Sequence, residues 1–134
     1  MAHWTERYLG IPHRELGRSV KGCDCYGLVH LVYLAEKGIN LPSYVGEYMS
    51  TKERQQIDEL VNGAMVSSDW QKIDIIDYKP MDVIAFRTGD LIFHVGLIVD
   101  KKYMLHSRKD HSKVEDYNSA MWSSRTAGVY RYVG

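Results

Sequence analysis

Residues 22–38 read GCDCYGLVHLVYLAEKG, and most of the fold can be worked out from this stretch. From Cys25 to Lys37 the apolar residues Leu28, Val29, Leu31, Val32 and Ala35 recur at helical spacing, so they share one face. Asp24 has the chemistry of an N-cap, and Gly38 suits the left-handed turn that ends a helix. The spacing therefore predicts a helix from Cys25 to Lys37, with a cysteine in its first turn.

On the N-terminal side, a short amphipathic helix is expected over Trp4 to Tyr8. The Gly- and Pro-bearing run LGIPHRELGRSVKG, residues 9–22, reads as a loop outside regular structure. On the C-terminal side, Ser50 and Glu53 have capping-box spacing ahead of Ile57, Leu60 and Val61, which predicts a second helix ending near Gly63. Beyond Trp70 the period changes. Ile73 to Tyr78, Val83 to Arg87, Leu91 to Val99, Tyr103 to Ser107 and Gly128 to Val133 are short and rich in β-branched or aromatic residues. Helices first and strands afterwards predict an α+β fold, with the helices packed on a mostly antiparallel sheet of about five strands.

The 134 residues are 45% hydrophobic, enough for one buried core and too few for a second domain, so residues 1–134 are read as one domain. Seventeen basic residues balance seventeen acidic ones, which argues against a nucleic-acid partner. No apolar run is long enough to span a bilayer, so membrane insertion is not expected. The start, MAHWTERYLG, lacks the basic and apolar regions of a signal peptide, and synthesis in the cytoplasm without a leader is expected.

The chemistry gathers around Cys25. A thiol in the first turn of a helix faces unpaired backbone N–H groups and the positive end of the dipole, which favours the nucleophilic thiolate. Cys23 lies too near in sequence for good disulfide geometry and reads as a small buried hydrophobe. In LIFHVGLIVDKKYMLHS, residues 91–107, His94 and His106 flank a turn centred on Asp100. A hairpin with an odd-numbered loop puts them opposite each other on one face, with Cβ atoms about 5 Å apart, whereas an even loop sends them to opposite faces. His94 would then be the base for Cys25, and His106 the group that orients it. His3, His30 and His111 carry no assigned role; His111 falls in SRKDHSKVEDYNS, which reads as a polar surface loop. His13 reads first as a solvated loop residue, although its loop could wall an active site.

These motifs resemble a known family. The run DCYGLVHLVY, residues 24–33, is similar to the Asp-Cys-x-Gly-Leu-Val signature of NlpC-type cell-wall cysteine endopeptidases, and HVGLIV, residues 94–99, is similar to that family's His-Val-Gly strand. Leu105, His106 and Ser107 match its next strand, where the third polar residue is usually a histidine. The pattern YLGIP, GRS, DC, GLV and then Leu41-Pro42 resembles compact members encoded with phage tail genes.

The resemblance implies a papain-like fold and cleavage of the peptidoglycan stem peptide, often between D-glutamate and a diamino acid. Cys25, His94 and His106 would form the triad, and His13, Asp24 and Tyr26 would contribute to the oxyanion site or substrate wall. It also implies a phage tail setting, with tail-tip proteins as partners. The sequence departs from the family pattern at three places: His13 stands where an aromatic, commonly Tyr, is usual; Tyr26 replaces a frequent serine; and Met81-Asp82 replaces a Gly-Asp pair. Two other readings compete. Cys23, Cys25 and the histidines are donors of the kind zinc uses, but C-x-C is a poorer clamp than C-x-x-C, so no metal or cofactor is expected. The other is a structural piece of a tail tip with weak or lost peptidase activity.

Overall fold

A computed structural model describes residues 3–42, 57–58, 61–63 and 69–134. Within it the Asp24 carboxylate is buried and collects three donors. One oxygen accepts from the Gly27 N–H at 2.7 Å and from Arg18 Nη1 at 2.8 Å, and the other accepts from the Leu16 N–H at 3.0 Å. The N-cap expectation holds, and α1 (Cys25–Val32) starts at the next residue. The chain then widens into one π-helical turn, Tyr33–Lys37, and ends where Gly38 adopts φ 65°. Gly27 is glycine because the preceding loop crosses directly over it: a Cβ there would lie 1.9 Å from the Gly17 carbonyl oxygen.

That loop is more ordered than its composition suggests. Trp4–Tyr8 forms a 3₁₀ turn rather than an α-helix. Residues 9–22 then run between the helix start and the sheet, where their polar backbone must be paired. Ser112 N–H donates to the Ile11 carbonyl at 2.8 Å, Gly10 N–H to the Ser112 carbonyl at 2.9 Å, and His13 N–H to the Asp110 carbonyl at 3.0 Å. A two-stranded ladder, β1 (Arg18–Ser19) with β2 (Gly22–Cys23), brings the chain to Asp24.

Among the described residues the main sheet has six strands. They are β3 (Trp70–Ile73), β4 (Val83–Thr88), β5 (Leu91–Ile98), β6 (Tyr103–Arg108), β7 (His111–Asp116) and β8 (Thr126–Tyr132). Their order is β3-β8-β4-β5-β6-β7, with every pairing antiparallel. The α+β architecture is as expected, with two corrections. The strand expected over residues 73–78 ends at Ile73 and gives way to a 3₁₀ turn, Ile75–Asp77. The stretch read as a surface loop contains β7, which forms because β6 and the N-terminal segment offer hydrogen bonds to a sequence with little β propensity. For the second helix, Ser50, Glu53 and Leu60 lie outside the described residues, while residues 57–58 and 61–63 are helical, with Ile57 and Val61 buried.

Two cores sandwich the sheet. Leu28, Val29 and Val32 of α1 pack on one side against Val83, Ala85, Val95, Leu97 and Leu105. On the other, Ile84, Phe86, Phe93, Ile98, Met104 and Val129 surround Trp122. Met81, where the resemblance implies a glycine, holds φ 76°, a left-handed conformation that glycine adopts more easily. The neighbouring Asp82 is clamped by both Arg131 Nε, at 2.9 Å, and Nη2, at 2.8 Å. Among the described residues, no helix is long and apolar enough to cross a membrane.

The contact at Gly27 yields a stability prediction. Gly27→Ala must push the Gly17 carbonyl away from the first turn of α1 and is expected to cost about 3 kcal/mol or more. Thermal unfolding of the variant, followed by circular dichroism, should show a clear drop in Tm; an unchanged Tm would mean the loop does not lie on the helix in this way.

Candidate active site

His94 and His106 stand on adjacent strands, and their rings meet: His94 Nε2 lies 2.7 Å from His106 Nδ1, with the ring planes at 75°. The hairpin condition is met in parity but not in detail. Leu97 pairs with Leu105 and Ile98 with Met104, so the turn is centred on residue 101 rather than 100. The loop is odd and the two histidines share a face, but they approach diagonally. Continuing that register puts Gly96 opposite His106. A Cβ on Gly96 would lie 3.2 Å from the His106 Cβ, so this glycine keeps space clear beside the ring.

A β-bulge lies next to His94. Phe86 pairs with His94 but Arg87 pairs with Ile92, which leaves Phe93 as an extra residue in β5. The bulge interrupts the alternation of sides, so Phe93 and His94 both meet Trp122. The Trp122 indole stacks on His94 at 5.3 Å and 25°, and meets His106 edge-on at 5.4 Å. His94 is 3% exposed and His106 0%. Burial pushes the His94 ring well below its ordinary pKa, with help from His106, Arg108 and His13. Burial also pushes His106 down to about 4, against the pull of Glu115. Both rings are therefore neutral near pH 7.

Glu115, on β7, received no role from the sequence. Its Oε1 lies 2.9 Å from His106 Nε2. Burial raises its carboxyl, but the charge and hydrogen bond of His106 outweigh this, with support from Trp122 and Lys113, and hold it below the ordinary value. The Trp122 indole N–H is buried and, among the described residues, outside ordinary hydrogen-bond geometry to an acceptor, yet close enough to Glu115 to contribute to that effect. No local motif marks Glu115 in the sequence; its role depends on the β6–β7 pairing, which sets Met104 against Glu115 and His106 against Lys113.

Cys25 is 1% exposed, and α1 packs against both β5 and β6. An anchor near the helix start ties it to the histidine strand. The Cys23 carbonyl accepts from Ser107 Oγ at 3.0 Å, and Ser107 directly follows His106. Two residues of chain span at most about 7 Å, so Cys25 stays close to that anchor. Cys23 itself is fully buried and outside any disulfide, as expected.

The remaining predicted residues are placed differently from the expectation. His13 is held in the structure rather than solvated: its Nδ1 lies 2.9 Å from Ser107 Oγ, and its backbone bridges Cys23. The single Ser107 hydroxyl proton goes to the Cys23 carbonyl, so His13 Nδ1 is the donor in their contact. In neutral His13, Nε2 is then an acceptor, and only the imidazolium could donate to an oxyanion. Asp24 is occupied with the helix cap and Arg18. Tyr26 is buried, with its hydroxyl donating to the Pro42 carbonyl at 2.6 Å and its ring under Arg18. Both act as framework behind the helix start, not as an exposed wall.

The chain resembles known proteins in sequence and in fold. The model of the NlpC/P60 family matches residues 10–131. The chain is 24% identical over 117 residues to the Escherichia coli K12 protein "Murein DD-endopeptidase MepS/Murein LD-carboxypeptidase", covering 87% of this chain and 53% of that protein. It therefore spans about half the length of that curated relative. The crystal structure of an NlpC/P60 family protein from Bacillus cereus superposes with a TM-score of 0.70 at 22% identity, covering 96% of this chain and 38% of that one. The NlpC/p60 domain of the peptidoglycan hydrolase SagA gives 0.65 at 17% identity, covering 95% and 92%. With a family model matching nearly its whole length, the chain belongs to the NlpC/P60 family.

Proposed function

We propose that this domain is a cysteine endopeptidase acting on the stem peptide of peptidoglycan, with Cys25 as nucleophile, His94 as base and His106 as its orienter. The observation that carries the reading is the buried His94–His106 pair, neutral and hydrogen-bonded at 2.7 Å, on the two strands, β5 and β6, against which the thiol-bearing helix α1 packs. The names of the Escherichia coli relative and of SagA support the substrate class.

In the first step the thiol proton passes to His94 while sulfur bonds to the peptide carbonyl carbon. The C–N bond then breaks and the leaving amine takes that proton, which leaves a thioester. Water, deprotonated by His94, attacks the thioester; the C–S bond breaks and the thiol is restored. The Cys25 backbone N–H, in the first turn of α1, is the oxyanion donor we assign, worth about 3 kcal/mol. His13 could add to it only when protonated.

The bond between D-glutamate and the diamino acid, and attachment to a phage tail tip, are the finer parts of this proposal. The support for the bond is the NlpC-type resemblance carried by DCYGLV and HVG, and the support for the tail tip is the pattern around YLGIP and Leu41-Pro42. Digesting defined muropeptides and weighing the products tests the first, and probing purified virions with an antibody to the domain tests the second. The 1% exposure of Cys25 favours a second reading, a structural tail component with little activity. Slow alkylation of Cys25 together with absent hydrolysis would support it.

Two outcomes check the main reading. Cys25→Ala is expected to lower kcat at least about 1,000-fold on muropeptides with Tm nearly unchanged; equal activity would overturn the assignment. The acid limb of kcat/KM is expected below pH 6.5, because burial keeps His94 unprotonated below the ordinary histidine value. Stability follows the same sign. The unfolded chain takes up protons before the folded one, so stability is full above pH 6.5 and declines toward about 4. An acid limb above pH 6.5 would remove His94 as the base.

A further inference from the structure

The hydrogen bonds that link β5, β6 and β7 assign every proton in the relay. An ionised carboxylate only accepts, so at the 2.9 Å contact between Glu115 Oε1 and His106 Nε2 the proton sits on Nε2. A neutral His106 then presents a bare Nδ1, which can only accept. At the 2.7 Å contact between the rings the donor is therefore His94 Nε2. Neutral His94 is left with its lone pair on Nδ1.

We propose that Glu115 is a positioning residue that acts through His106 to fix the tautomer of His94, leaving Nδ1 as the basic nitrogen. The relay runs diagonally over one face of three neighbouring strands and ends at a carboxylate whose side chain is 36% exposed. Reversing the first contact reverses the rest. If a group in place of Glu115 donated to His106 Nε2, the proton of His106 would move to Nδ1, His94 Nε2 would become the acceptor, and His94 Nδ1 would carry a proton and lose its basicity. When His94 takes a proton during turnover, the carboxylate also faces the positive charge that spreads toward His106. Among the described residues, Arg108 on β6, Lys113 on β7 and His13 on the N-terminal segment also face the relay. Arg108 and Lys113 are cationic and oppose that charge, so Glu115 is the anion that compensates them.

The catalytic consequence rests on the proposed role of His94; the proton assignment rests on the two contacts, with Glu115 ionised and both rings neutral. The test is ¹⁵N–¹H correlation of histidine-labelled protein near neutral pH, for wild type, Glu115→Gln, Glu115→Asp and Glu115→Ala, with kcat and KM measured on the same samples. Wild type should show both rings protonated at Nε2. Glu115→Gln, nearly isosteric and fold-preserving, can present its amide N–H₂ to His106, so it should show mixed or reversed tautomers at both rings. Its kcat should fall about 10- to 100-fold with little change in KM, and Glu115→Asp should recover part of the loss. Glu115→Ala should lose the single tautomer as well. Nδ1 protonation of His94 in the wild type, or wild-type tautomers and kcat in Glu115→Gln, would overturn the proposal. Full activity of Cys25→Ala would instead refute the peptidase reading and leave the spectra to decide the role of Glu115.

Discussion

The buried Asp24 carboxylate is the interaction from which the rest of the site follows. It collects the Gly27 N–H, the Leu16 N–H and the Arg18 guanidinium, so one side chain starts α1, holds the preceding loop and neutralises its own charge. Removing a partner from such a group leaves a buried charge uncompensated, a larger penalty than losing a surface ion pair. Because the loop is fixed at Asp24, Gly17 can lie on Gly27 and Cys23 can reach Ser107. Cys25 takes its place from both ends of this arrangement: the cap sets the helix direction, and the Cys23 carbonyl sets its distance from β6.

The histidines depend on a second constraint, the register of β5. The turn centred on residue 101 sets the diagonal approach of His94 to His106, and the bulge adds Phe93 to the face on which His94 meets Trp122. The same burial that lowers the affinity of both rings for protons makes their hydrogen bonds directional. With neither ring charged, each nitrogen is either a donor or an acceptor, and one carboxylate at the end of the line can determine all of them. A solvated pair would exchange tautomers through water.

Departures from the family pattern have local physical consequences. Met81 takes a left-handed backbone where glycine is usual, and the neighbouring Asp82 clamped by Arg131 holds the entry to β4. His13 stands where an aromatic was expected, but its donor nitrogen is already committed to Ser107. This makes its contribution to an oxyanion conditional on charge, whereas a phenol would donate in its ordinary neutral state.

Local chemistry was enough to read the helix with its Asp24 cap and Gly38 stop, four of the strands, and Cys25, His94 and His106 as the residues of interest. Capping, apolar period and β propensity depend on neighbours a few positions away, so the sequence by itself determined them. The order of residues 9–22, strand β7, the diagonal approach of the histidines and the place of Glu115 were decided only in the tertiary structure. HSKVED has no strand-like composition and becomes a strand because two other segments supply its hydrogen bonds. A single extra residue in β5 moves a side chain to the other face, and local propensity carries no record of such a bulge. Cys25 was legible because a helix start is a local object, whereas Glu115, which meets His106, was not, because it arrives from another strand.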